Sequence, residues 1–187
     1  STLSSSSAAS DVYKRQVPDN LLNDLYELTK MGPTSTNSCP ARFIFIKSDE
    51  MKEKIKPALL PNNVEKCMTA PVITIIGYDL DFSDHMGKLF PHMDIAPMYK
   101  GNSDMNFSTA FRNGSLQGAY LMIIARAIGL DCGPMSGFNN ELVDDLFFKE
   151  TVAPISSSVL KNAILVGLTP TFSKIIDFFV SRLAASR

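Results

Sequence analysis

Two short runs concentrate the residue types able to hold or orient a ligand. The first is Gly32-Pro33-Thr34-Ser35-Thr36-Asn37-Ser38-Cys39-Pro40, dense in small hydrogen-bonding side chains and bounded by prolines. The second is Gly133-Pro134-Met135-Ser136-Gly137-Phe138, whose two glycines and proline shape the backbone so that its N–H groups can approach a ligand closely. Both patterns also suit ordinary turns, because Ser, Thr, Asn, Gly and Pro are common there. Cys39 could act as a nucleophile with Arg42 nearby, although a small packed thiol is the commoner use of such a residue. His85 and His92 stand seven residues apart without a supporting Cys pair, a weak pattern for a metal, and Asp84 and Asp94 read as solvated loop charges. The order of residues supports no Ser-His-Asp triad, and neither GxGxxG nor GxxxxGK[ST] occurs. Redox chemistry here needs a carrier other than a Rossmann-bound nucleotide.

The elements that must position these runs can be read from periodicity. Phe111 to Leu130 is apolar on nearly every side, which predicts a helix inside the domain, with Ser108 or Thr109 at its N-cap and Gly129 at its end. That helix delivers the Gly133 loop to a fixed place as the first candidate site, with a tight helix-to-helix turn as the alternative use of the same residues. Earlier, Leu21, Leu22, Leu25, Tyr26 and Leu28 recur at helical spacing after Pro18-Asp19. Phe43 to Ile46 reads as a strand, Asp49 to Leu60 as a helix, and Val72 to Tyr78 as a central strand. Asp79 to Ser108 is expected to be an irregular excursion with a short helix, of the kind that covers sites. Asn139 to Phe148 reads as a helix, Asn162 to Leu168 as a buried strand, and Thr169 to Arg187 as helical.

Composition bounds the class. The chain has 187 residues, 45% hydrophobic and 20% charged, which is globular and of single-domain size. A net charge of −1, with no basic patch interleaved with aromatics, argues against nucleic acid as a partner. Three scattered cysteines indicate neither a disulfide framework nor a zinc site, and a reducing cytoplasm is the expected location. The most apolar stretch, Ala119 to Leu130, falls short of the ~20 residues a bilayer span requires, so no membrane role is expected. Residues 1–16 are Ser-rich without apolar pattern and are read as a non-native or disordered leader, with 17–187 forming the domain.

The Gly32 to Arg42 loop, the Asn63-x-x-Lys66 pair ahead of Ala70-Pro71-Val72, the Phe111-Arg112-Asn113 segment and the Gly133 to Phe138 loop together resemble the nitroreductase family, most closely its malonic semialdehyde reductase branch. The resemblance spans about Pro18 to Gly167. It implies an α+β fold, a mixed sheet flanked by helices in an intertwined homodimer, with FMN at the subunit interfaces and NADH or NADPH as hydride donor. It further implies that Pro33, Thr34, Ser35 and Asn37 reach the flavin from the partner chain. Asn63 and Lys66 would lie at its pyrimidine edge, where an ammonium favours the negative charge of the reduced ring, and Pro134, Met135, Ser136 and Gly137 would lie against N5 and O4. Arg112 is a candidate partner for a substrate carboxylate, with a salt bridge as its alternative use. The expected activity is reduction of a small carbonyl compound, 3-oxopropanoate, to 3-hydroxypropanoate. The alternatives are reduction of nitroaromatics or quinones, and a non-catalytic truncated scaffold that does not retain FMN. The family's short basic segment for the FMN phosphate is replaced here by the Ser-rich leader, and Lys174 and Arg182 stand as unaligned candidates in the tail.

Overall fold

The computed structural model describes residues 16–148 and 164–170. The leader residues 1–15, the tail residues 171–187, and with them Lys174, Arg182 and the expected tail helix, lie outside the described residues. The chain begins with α1 (Asp19–Thr29), a 3-10 turn at Ser35–Asn37, β1 (Ala41–Ile46) and α2 (Asp49–Ile55). Then come a 3-10 turn at Lys56–Ala58, α3 (Pro61–Thr69), β2 (Val72–Tyr78) and a 3-10 turn at Phe82–His85. Next are α4 (Met86–Leu89), α5 (Ala96–Lys100), α6 (Ser103–Ala127), β3 (Leu130–Met135), α7 (Asn140–Phe147) and β4 (Ile164–Pro170).

The four strands pair in the order β1-β2-β4-β3, antiparallel throughout. A parallel member of the mixed sheet is therefore not found among the described strands, while the α+β class stands. The run Val72 to Ile76 predicted a central strand, and every residue of β2 is buried. Its alternation sorts the core into two layers. Val72 and Ile76 pack with Leu22, Leu25, Leu121 and Ala125 under α1 and α6. Ile73 and Ile75 face Ile55, Cys67, Val143 and Phe147 under α2, α3 and α7. A third cluster, built on Tyr78, Phe82, Met86 and Tyr99, anchors the excursion, which is a 3-10 turn and two short helices rather than an irregular segment.

Two sequence expectations about α6 are corrected. It starts five residues before Ser108, capped by Asn102, whose Oδ1 accepts from Met105 N at 2.9 Å. Nor is it enclosed on all sides within one chain. Asn113, Gly114, Gln117, Gly118 and Leu121 face the sheet, but Phe107, Phe111, Leu116 and Ile123 are exposed, Ile123 to 66%. Gly129 does end the helical run, at φ 94°.

The segment after Gly129 is a strand as far as Met135, which takes up the first half of the expected Gly133–Phe138 loop. Leu130 to Met135 forms β3 at the edge of the described sheet, where Pro134 is tolerated because no described strand pairs with its outer side.

Candidate active site

Both polar runs leave the sheet at the same end. Ala41 pairs with Tyr78, Ile76 with Ile164, and Leu165 with Met135, so the start of β1 and the finish of β3 share that end. They occupy opposite edges, however. Three interstrand spacings of ~4.8 Å put β1 and β3 roughly 14 Å apart.

The Gly32 loop is fixed by α6. Asn113 Oδ1 accepts from Ser35 N at 2.8 Å, Gln117 Oε1 from Ala41 N at 2.8 Å, and Tyr120 donates its hydroxyl to Pro33 O at 2.9 Å. Thr36 shares a hydrogen bond with the Tyr99 hydroxyl at 3.0 Å, and Asn37 Nδ2 donates to Leu89 O at 2.8 Å. Three non-glycine residues, Thr36, Asn37 and Cys39, hold φ of 49°, 53° and 41°, a left-handed backbone that persists only where surroundings enforce it. Gly32 leaves room for the Tyr120 ring, which an added Cβ would meet at 2.2 Å. At the base of the loop Arg42 pairs with Asp79, which is buried, and donates to the Cys39 and Ala41 carbonyls at 3.1 and 2.9 Å. The side chains of Thr34 and Cys39 are half-buried, whereas Pro33, Ser35 and Asn37 are exposed.

The second group surrounds a cleft of about 590 Å³ at the other edge. Lys66, Cys132, Gly133, Pro134 and Met135 line it, with Gly167 in the floor. Lys66 is exposed at the last turn of α3, and no atom lies within 4 Å of a Cβ added at Gly133, so the wall there is flat and open. Asn63 is buried and gives Nδ2 to Gly137 O at 3.0 Å, a carbonyl that also accepts from Leu60 N at 3.1 Å. Ser136 O accepts from Phe138 N at 3.1 Å, which tightens the turn carrying Ser136 and Gly137 past the cleft. Met135 places its sulfur 3.6 Å from the buried Cys67 thiol.

Burial pushes the Cys67 thiol up, and pushes that of Cys132 up to about 11, against a smaller opposing pull from Arg126. The thiolate is the reacting species, so alkylation of Cys132 should stay slow through pH 9 and accelerate only towards pH 11. Mass spectrometry after timed iodoacetamide exposure across this range checks it; half-maximal reactivity near pH 8.5 would contradict the burial argument.

Arg112 does not line this cleft. It is exposed on the outer side of α6, in register with Leu116 and Ile123, and makes no ion pair among the described residues. Asp84 pairs with Lys100 at the surface, and among the described residues no group of three or more His, Cys, Asp and Glu side chains could hold a metal ion. No described helix is long and apolar enough to cross a membrane. The supports that sequence reading passed over are Gln117, Tyr120 and Tyr99. Asn113 and Gln117 carried a usable signal, two amides at i, i+4 beside Gly114 and Gly118 on one side of an apolar helix.

An antiparallel sheet clad by helices on both faces, with a long helix pinning a strained loop at one edge and at the other an open cleft that carries Lys66 beside the carboxylates of Glu65 and Asp131, defines a nitroreductase-like α+β fold. Solved structures share it. One, provisionally named an NAD(P)H:FMN oxidoreductase, from Staphylococcus epidermidis, superposes with a TM-score of 0.73 at 22% identity, covering 86% of this chain and 80% of that one. A provisionally named nitroreductase from Exiguobacterium sibiricum, solved with FMN, gives 0.72 at 18% identity, covering 86% and 81%. The nitroreductase family model matches residues 13–153, and the chain belongs to that family. A relative from Cupriavidus pinatubonensis, provisionally named an NADH dehydrogenase/NAD(P)H nitroreductase, is 53% identical over 138 residues, 72% of this chain and 70% of its own length. HadB of Ralstonia pickettii, under the same provisional name, is 52% identical over 140 residues, 73% and 71% of the two chains.

Proposed function

We propose that two copies of this chain form a homodimer in which each active site joins the Lys66–Met135 cleft of one subunit to the Pro33–Asn37 loop of the other, and that the site reduces a small carbonyl compound, 3-oxopropanoate. The chain is an FMN-dependent NAD(P)H oxidoreductase of the nitroreductase family. The observation that carries the shared-site reading is the separation of the two polar groups: same end of the sheet, opposite edges, and no lining residue in common with a single cleft. The exposed apolar residues of α6 supply a surface for the partner, since a patch with Phe107, Phe111, Leu116 and Ile123 is costly to leave in water.

The cleft fits a flavin ring on its own chemistry. A planar ring needs an unobstructed wall, which Gly133 leaves, apolar contact, which Pro134 and Met135 provide, and a cation at its electron-rich edge, which Lys66 offers. When bound, FMN supplies the hydride transfer between NADH or NADPH and the second substrate. The protein's own work is orientation and charge. Lys66 holds positive charge where negative charge develops, Asn63 locks the Gly137 carbonyl so that the turn keeps its shape, and the loop at Pro33–Asn37 closes the open side of the cleft. Lys66→Met should weaken FMN binding about tenfold, the ~1.5 kcal/mol of a hydrogen bond to a charged group, read by fluorescence titration. An unchanged dissociation constant would remove Lys66 from the site.

Mixed dimers test the shared site directly. Ser35→Trp fills the exposed loop position without removing a loop hydrogen bond, and Lys66→Met damages the cleft. Each homodimer should be impaired, while co-refolded mixtures should regain about a quarter of the wild-type sites, because a heterodimer of a symmetric pair keeps one intact site. No recovery above the parents would place both groups in one subunit. The substrate reading rests on the resemblance of the two loops and the Asn63–Lys66 pair to the malonic semialdehyde branch. Steady-state turnover of 3-oxopropanoate above that of nitroaromatics and quinones is expected, and activity on nitro compounds alone would replace it.

A further inference from the structure

A second cleft, of about 290 Å³, lies behind the strained loop, between α1, β1 and α4, and is not part of the flavin cleft. Its wall carries Lys30, Arg42, His85 and Lys88, with Cys39 and Gln117 beside them, and no carboxylate among its lining residues. In a chain with equal numbers of opposite charges to within one, that bias is local. Two of the cations are spoken for: Arg42 by buried Asp79, and Lys30 in part by the exposed carboxylate of Glu27. Lys88 has no ion-pair partner among the described residues. We propose that this cleft is a binding site for a phosphate monoester, held by Lys88 and Lys30 with His85 at the rim.

The ligand class follows from the donors left available. The planar guanidinium fork is engaged by Asp79 and two carbonyls, so the planar two-point grip that suits a carboxylate is taken. Lysine ammoniums remain, compact point charges that favour a dianion over a monoanion. The volume lies at the low end for ligand sites, enough for a phosphate with an attached sugar or short carbon unit and too small for a whole dinucleotide. A phosphate monoester could arrive as a free small ester or as the ribose 2′-phosphate of NADPH, with the rest of the nucleotide outside.

Cys39 provides a readout that does not depend on turnover. Its half-buried thiol lines the cleft, whereas Cys132 lines the flavin cleft instead. The holoprotein is treated with iodoacetamide at pH 8, and labelling of each cysteine is followed by mass spectrometry. Inorganic phosphate at millimolar concentration should slow labelling of Cys39 at least threefold, while sodium chloride at equal ionic strength does nothing. Lys88→Gln and Lys30→Gln, both at exposed positions, should abolish the phosphate effect without altering the fold. NADP+ protecting at lower concentration than NAD+ assigns the ribose phosphate; equal effects of the two, with glycerol 3-phosphate protecting, assign a free ester. Protection by chloride alone, or undiminished protection in Lys88→Gln, overturns the site.

Discussion

Arg42→Met should lower the unfolding free energy by about 3 kcal/mol, because it strands the Asp79 carboxylate in the protein without its counter-charge. Asp79 is 3% exposed, and its remaining support is the Asp81 amide, which donates at 2.8 Å. The converse change, Asp79→Asn, should cost less, since the Arg42 side chain is 25% exposed and keeps two carbonyl acceptors. The double variant Arg42→Met, Asp79→Leu should recover part of the loss, as expected when both members of a buried pair become apolar. Urea unfolding followed by circular dichroism measures all three. A midpoint for Arg42→Met within about 0.3 M of wild type would show that water reaches Asp79 freely, given slopes of about 1–3 kcal/mol/M for small proteins. Because Arg42 also grips the Cys39 carbonyl, the same variant should loosen the loop and weaken FMN retention.

Gly114→Val should cost a similar amount, about 3 kcal/mol, by forcing α6 off the sheet. A Cβ at position 114 would sit 2.7 Å from Tyr78 Cβ, an atom next to the β2 backbone with no freedom to swing aside. Overpacking of this kind costs about 1–3 kcal/mol, and a β-branched residue adds a helix penalty. The disturbance spreads in two directions. Tyr78 packs edge-on against Phe107 and Phe111 at 6.1 and 5.9 Å, and Asn113, the adjacent residue, holds Ser35 N. Gly118 is the control on the same helix face. Its added Cβ would meet Ile76 Cγ2 at 3.5 Å, an ordinary contact, so Gly118→Ala should gain about 0.5–1 kcal/mol from reduced chain entropy. Equal destabilisation by the two changes would mean that helix geometry, and not the approach to Tyr78, governs the cost.

The parts of the fold with a strong local signal were legible in the sequence. The continuous apolar run of β2, the amphipathic α1 and the left-handed stop at Gly129 each arise from a rule that acts within a few residues. The start of α6 was not, because Asn102-Ser103-Asp104 is equally at home in a turn, and only the Met105 amide turning onto Asn102 decides for a cap. β3 was missed because Gly133 and Pro134 are depleted in strands, and nothing local reveals that β3 is an edge. The two candidate loops were visible as composition, and their residues could be named. Their separation to opposite edges follows from register, which requires knowing that β4 lies between β2 and β3. The exposure of Phe107, Phe111, Leu116 and Ile123 on α6 was not legible, since an all-round apolar pattern cannot tell an enclosed face from an exposed one.

The order β1-β2-β4-β3 also bears on how the chain emerges during synthesis. The strand that closes the sheet, Ile164–Pro170, comes last among the described strands yet belongs in the middle. Until it leaves the ribosome, β2 presents one unpaired apolar edge and β3 has no neighbour at all, so the nascent polypeptide is committed to a long-range pairing that cannot begin early. Residues 72–78 are then an aggregation-prone segment whose partners, from Leu168 for Val72 to Ile164 for Ile76, lie 96 to 88 positions downstream. Slower translation before residue 164 should lengthen that exposure and lower soluble yield, and holdase chaperones should restore it.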